Sequence, residues 1–209
     1  MEIKKTFCWQ FARNIYSIAA KQVFSALLVI YYIKHSVPYR HVFHYHSLRK
    51  GICAIEAASI PYSICAGTLL GAVRQGAFAG RPADLDLYLD CHREQARGLV
   101  ENLLKSWWFR SPEEKADRFQ IWCGTRNSNV LLDLCFSTEV SMKNPWYEGH
   151  ISFSPVKLIT GGIEYKIYQT WCRVPVNFEE YLFWLYGPSW RLPDSRQYAW
   201  MIPSERLVK

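Results

Sequence analysis

Asp84-Leu85-Asp86-Leu87-Tyr88-Leu89-Asp90 alternates an acid or a tyrosine with leucine, a period of two that reads as a β-strand. Strand geometry puts Asp84, Asp86 and Tyr88 on one face and the three leucines on the other, so the leucine face is core. Carboxylates two positions apart lie about 7 Å from each other along a strand. Their side chains can converge on one hard cation, and with oxygen donors only, Mg²⁺ or Mn²⁺ is the expected ion. An Asp-x-Asp taken by itself is equally compatible with solvated acids that bind nothing.

A second stretch bears on the first. Asn129-Val130-Leu131-Leu132-Asp133-Leu134-Cys135-Phe136 is an apolar run with one acid in its middle, which predicts a central strand. Burying a lone carboxylate is costly without a partner charge or a metal. Asp133 is therefore a candidate third ligand beside Asp84 and Asp86, the other reading being an ion pair with a nearby arginine. Upstream, Gly67-Thr68-Leu69-Leu70-Gly71-Ala72-Val73-Arg74 reads as a glycine turn opening into a helix at about Leu69. Such a turn offers backbone N–H groups and the Thr68 hydroxyl to an anion. Arg74 suits a bidentate phosphate contact, or a structural ion pair.

Around these segments the chain alternates helices and strands. Helices are expected over residues 47–59, stopped by Pro61, along Ala96, Leu99, Val100, Leu103 and Leu104, and over 178–186, closed by Gly187-Pro188. Strands are expected at 62–65, 119–123, 156–159 and 163–168. Residues 110–118 and 141–154 read as polar loops suited to acceptor choice, with Trp146 and Tyr147 available to stack on a sugar. The pattern predicts an α/β (α+β) unit, a mixed sheet with flanking helices, over residues 46–209, preceded by a helical arm over 1–45.

The arm carries the charge. Residues 1–50 hold eight of the 25 basic residues and only one of the 18 acidic ones, leaving 17 of each sign in the rest of the chain. A nucleic-acid-binding domain would carry its excess on the folded body, so no nucleic-acid partner is expected; an anionic membrane surface suits a basic arm better. Gln10, Asn14, Ser17, Lys21 and Ser25 form one polar stripe of an N-terminal amphipathic helix whose other faces are apolar. Residues 23–33 are continuously apolar apart from Ser25, yet shorter than the roughly 20 residues of a bilayer span. Packing on its own domain and lying at a membrane interface both explain the pattern. Val37-Pro38 ends the helix.

Seven cysteines without a C-x-x-C pair argue against a zinc ribbon or a disulfide framework and for a reducing compartment. His35, His41, His44 and His46 bunch without an accompanying acid or cysteine, and are expected as surface or capping residues. A cytoplasmic location, peripheral on the inner face of the membrane, follows as the expectation.

The run from Cys65 to Arg74, followed ten residues later by Asp84-Leu85-Asp86, resembles the signature of the LicD family, which includes fukutin and fukutin-related protein. Val174-Pro175-Val176, Tyr181-Leu182 and Tyr186-Gly187-Pro188-Ser189-Trp190 resemble that family's C-terminal segments, so the likeness spans roughly residues 47–194. The resemblance implies a nucleotidyltransferase-like fold and transfer of a phosphorylated alcohol, such as phosphocholine or ribitol phosphate, from a CDP-activated donor to a glycan hydroxyl, with release of CMP. By position it implies Asp84 and Asp86 as paired metal ligands, Asp133 as the third carboxylate and the acceptor of the hydroxyl proton, and Gly67 and Thr68 against the donor phosphates. Arg74 and Arg81 are then expected as clamps on the diphosphate. Where many relatives have Pro-Trp-Asp-Asp, this chain has Arg81-Pro82-Ala83 ahead of the paired acids. That departure keeps open a silent glycan- or nucleotide-binding module, and the same core would also support nucleotidyl transfer.

Overall fold

The computed structural model describes residues 2–80, 82–115, 118–124, 130–136 and 160–192, with side chains described from residue 18 onward. The chain divides into two compact units, Met1–Val42 and Phe43–Lys209.

In the first unit, α1 (Glu2–Lys34) is one unbroken helix. It ends where Ser36 takes a left-handed conformation, φ 64°, and the Val37 N–H reaches back to the Tyr32 carbonyl at 2.9 Å. This six-to-one closure satisfies a terminal carbonyl, and Pro38 then prevents continuation. A single 3-10 turn, Tyr39–His41, follows. Of the polar stripe, Lys21 and Ser25 are half-buried, and Leu28 and Tyr32, next along the same side, are buried. The apolar arc faces outward instead, with Ile18, Val23, Leu27, Ile30, Tyr31 and Ile33 exposed. Among the described residues no helix is long and apolar enough to cross a membrane.

The second unit is a mixed α/β structure. Its elements are α2 (Val42–Ala57, starting at the boundary), β1 (Tyr62–Ile64), α3 (Ala66–Gln75), β2 (Asp84–Leu89), α4 (Arg93–Leu104), β3 (Phe109–Glu114), β4 (Arg118–Cys123), β5 (Val130–Phe136), β6 (Thr160–Ile167), β7 (Thr170–Pro175) and α5 (Phe178–Tyr186). Five strands form one sheet in the order β1-β2-β5-β4-β3, in which only β2 and β5 run parallel. Strands β6 and β7 form a separate hairpin that contacts β1.

Alternation along each strand gives the sheet two unlike faces. Leu85, Leu87, Leu89, Phe119, Ile121, Val130, Leu132 and Leu134 are all buried on one of them. Helix α2 packs close there, since a Cβ on Gly51 would sit 3.3 Å from Leu132 and 3.6 Å from Leu87. Helix α4 brings its buried Ala96, Leu99, Val100 and Leu103 toward β3, β4 and β5. Trp108, fully buried before β3, donates its indole N–H to the Ser47 hydroxyl of α2 at 3.0 Å.

Three expectations are corrected here. Residues 110–118 are not simply a polar loop: Phe109–Glu114 is an edge strand paired with β4, with Pro112 inside a bulge where the register shifts and Ser111 stands at φ 48°. An edge position with a bulge is where a strand tolerates proline. Helix α3 starts at Ala66, ahead of Leu69, so Gly67 and Thr68 belong to its first turn. His41 and His44 are buried and so are not surface residues, while His46 is half-buried with its ring against Trp108 at 4.5 Å between centroids. The expected strand at 156–159, residues 141–154 with Trp146 and Tyr147, and Arg81 lie outside the described residues.

Gly71 is required by close approach, because a Cβ there would come within 2.4 Å of the Ala77 carbonyl and the Ala79 backbone nitrogen. The chain thereby folds tightly back after α3, with Gly76 capping the helix in the left-handed region at φ 63°. That return leads directly into β2. Cys53, Cys65, Cys91, Cys123, Cys135 and Cys172 are free thiols.

Candidate active site

The face of the sheet opposite the leucines is polar, and its rows follow from register. Asp86 pairs with Asp133 across the parallel β2–β5 ladder, and Asp133 pairs with Gln120 on β4. One row toward the start of β2, Asp84 aligns with Leu131, which aligns with Trp122. On the other flank Cys65 donates its backbone N–H to the Asp86 carbonyl at 3.0 Å. Asp84, Asp86 and Asp133 thus come together, and each offers a carboxylate oxygen within 4.8 Å of the others.

The acids differ in how they are held. Asp133 is buried, and its two carboxylate oxygens accept from the Gln120 amide nitrogen at 2.9 and 3.1 Å, with a longer contact from Arg118 at 3.4 Å. The arginine pairing considered from sequence is therefore realised, together with a glutamine that nothing in the sequence pattern singled out. Burying Asp133 is offset in part by these donors, so it is the cluster of three acids that bears on a cation. Asp84 and Asp86 are half-buried.

Helix α3 is docked onto β2 at Asp86, where the Thr68 hydroxyl accepts the Asp86 backbone N–H at 2.9 Å. Thr68 is buried. Its hydroxyl thus holds strand to helix. Gly67 lies beside Asp86: a Cβ there would be 3.8 Å from Asp86 Oδ2. The missing side chain leaves room above that carboxylate at the positive end of a helix. Ala66, which starts the helix, is held at φ 42°, a conformation costly for a residue with a Cβ.

Arg74 contacts main chain from the segment after α5. Its guanidinium donates to the backbone carbonyls of Trp190 and, at 3.0 Å, Leu192, and so fastens the segment after α5 to α3. Tyr181 and Tyr186 on α5 lie within electrostatic reach of Asp86, and burial raises both phenols above their ordinary range. A hydrogen bond with Cys135 and full burial hold the Cys65 thiol well above its usual range. Trp122, partly exposed, stands on the same polar face in the row of Asp84.

Burial, with crowding at Asp86 and Asp133, raises the acids above the usual carboxylate range. Burial, then the neighbouring Asp84 and Asp133, push Asp86 up to about 8 against the opposing pull of Thr68 and Arg118. Burial raises Asp133, opposed by the Gln120 hydrogen bond and Arg118, and burial likewise raises Asp84. Three carboxylates that resist ionising together suit a divalent cation, which would neutralise them. Their oxygens lie within 4.8 Å of one another, slightly wider than the roughly 4.2 Å between opposite oxygens around Mg²⁺, so holding that ion would take a small side-chain adjustment.

Gln120, Arg118, Trp122, Tyr181 and Tyr186 complete the site. The two tyrosines sit in segments whose sequence had already drawn notice, and the three β4 residues alternate with Phe119, Ile121 and Cys123, a pattern that assigns them to one face but not to this site. Compared with protein-family models and with curated proteins, the chain matches none.

Proposed function

We propose that this chain is a metal-dependent phosphotransferase of the LicD type with a nucleotidyltransferase-like core, moving a substituted phosphate from a CDP-activated alcohol to a glycan hydroxyl. The convergence of Asp84, Asp86 and Asp133 from two parallel neighbouring strands carries this reading. The motif resemblance supports it from a separate direction.

Asp84, Asp86 and Asp133 would hold Mg²⁺ or Mn²⁺, which when bound supplies neutralisation of the diphosphate charge and orients the reacting oxygens. The acceptor hydroxyl oxygen forms a bond to the phosphorus bearing the alcohol, and the bond from that phosphorus to the bridging oxygen breaks, so that CMP leaves. The hydroxyl proton passes to a carboxylate, for which Asp133 is the candidate because Gln120 and Arg118 fix its orientation. The open space beside Gly67, at the N-terminus of α3, is where a donor phosphate would approach. Trp122 offers a ring on the same face for a base or a sugar. Arg74, which also contacts backbone carbonyls, and, by the sequence reading, Arg81 would clamp the diphosphate, with Arg118 paired to Asp133 beside the acids.

Calorimetric titration with CDP-choline, CDP-ribitol, CDP-glycerol and CTP, with and without Mg²⁺ or Mn²⁺, tests the proposal. Metal-dependent binding of one CDP-alcohol, followed by CMP release, supports it and names the donor. Release of pyrophosphate from CTP would replace it with nucleotidyl transfer. Binding without turnover would make the chain a silent glycan- or nucleotide-binding module, and no binding to any of the four would sink the reading.

A further inference from the structure

We propose that the exposed apolar arc of α1 is a docking surface for a lipid bilayer with anionic headgroups. The inference is independent of the chemistry assigned to the acids. It begins from an inversion: along residues 18–33 the helix turns Lys21 and Ser25 to its sheltered side and leaves Val23, Leu27, Ile30 and Ile33 in water, each at least half exposed. A helix folded for water alone does the reverse. An apolar surface this continuous marks an interaction site.

Charge decides what kind of partner covers it. Residues 1–50 carry eight basic side chains and Glu2 as their one acid, so the arm is attracted to a dense anionic surface. The combination of a broad apolar arc with lysines and arginines belongs to helices that lie in the headgroup boundary. Tyr31 and Tyr39, 52% and 66% exposed near the end of the helix, are side chains of the type that settle at that boundary. No helix among the described residues is long and apolar enough to cross, which favours lying along the surface. A second copy fits less well. A coiled-coil seam is a narrow stripe with flanking charges of both signs, whereas this arc is wider, the seam position after Ile30 is Lys34, and the arm has no acids after Glu2 to pair with its lysines.

The test is flotation of the full-length protein with vesicles of phosphatidylcholine alone or mixed with phosphatidylserine, at low and at high salt, with light scattering in the absence of vesicles. Binding to the mixed vesicles, weakened by salt, is expected. Lys4→Gln/Lys5→Gln should lower it by about fivefold for each charge removed. Leu27→Glu/Ile30→Glu should remove it while the circular dichroism and the metal response of the second unit stay unchanged, since both positions are exposed. Binding that ignores phosphatidylserine and salt would overturn the proposal, as would failure to float with either vesicle. So would a dimer in solution that Leu27→Glu/Ile30→Glu converts to a monomer, because the arc would then belong to a second copy of this chain.

Discussion

Asp86 and Asp133 are direct partners in the parallel register of β2 and β5, so two carboxylates distant in the chain stand side by side on the polar face of the sheet. Asp84 joins them from the same strand as Asp86. Removing one of the three should therefore have opposite effects with and without a cation. In metal-free protein Asp86→Asn relieves crowding and should raise the melting temperature by roughly 2–4 °C, the shift for about 1 kcal/mol in a domain of this size. The same variant should lose the thermal response to Mg²⁺ or Mn²⁺ and at least about a hundredfold of turnover, close to 3 kcal/mol of barrier. A variant of near-normal rate would sink the assignment of these acids as ligands.

Cation binding should tighten as pH rises. Asp86 keeps its proton up to about 8, and a cation must displace it. The increase in melting temperature caused by Mg²⁺ or Mn²⁺ should be larger near pH 9 than near pH 6. Differential scanning fluorimetry across that range measures it, and a response that is flat with pH would contradict the protonation assigned to Asp86.

Gln120 positions Asp133. Gln120→Leu withdraws the amide donor from a buried carboxylate and should cost about 1–3 kcal/mol of stability. It should also move the pH at which the cation binds upward, because Asp133 loses the hydrogen bond that most favours its charged form. Denaturant unfolding gives the first quantity and cation titration at several pH values the second. A change in stability with no change in the pH of binding would make Gln120 structural only.

Thr68 separates a positioning role from a phosphate ligand. Thr68→Val leaves the buried Asp86 N–H without its acceptor and should cost about 1–3 kcal/mol, whereas Thr68→Ser keeps the hydroxyl and should stay close to the parent protein. Donor affinity, measured by calorimetry at saturating cation, should change much less than stability. If donor affinity falls sharply in Thr68→Val while stability holds, the hydroxyl contacts the phosphate after all.

His46 should make the fold acid-sensitive. Burial, then Lys50 and Arg49, lower it to about 4 from 6.5. The unfolded chain therefore binds the extra proton first as pH falls. The neutral histidine's contribution is complete above about 6.5 and is lost as pH drops through 4, up to about 3 kcal/mol in all. His46→Phe, which keeps a ring against Trp108, should flatten the decline of unfolding free energy over this interval. An unchanged acid limb in denaturant melts would show that other groups govern it.

The sequence made several elements plain because their signals are local. Residues 178–186 form a helix over those very positions, stopped by Gly187, and the alternation of Asp84–Leu89 appears as buried and half-buried residues in strict turn. Strand β3 was hidden because Pro112 speaks against a strand, and only its edge position and bulge make the proline tolerable. Arg74 looked like a phosphate clamp from its place on α3. In the structure it donates to main-chain carbonyls at Trp190 and Leu192, and a carbonyl acceptor leaves no trace in side-chain identity.

The orientation of α1 was open in the same way: periodicity defines a polar stripe but not which side of it faces outward. What the sequence determined by itself is the existence of two unlike faces on β2 and β5, because a period of two is a property of consecutive residues. Which acids meet, that Gln120 and Arg118 hold Asp133, and that Thr68 is buried against Asp86 were decided only by tertiary structure. Strands β2 and β5 are joined through α4, β3 and β4, and their register comes from packing the leucine face under α2 and α4, a condition that no single segment encodes.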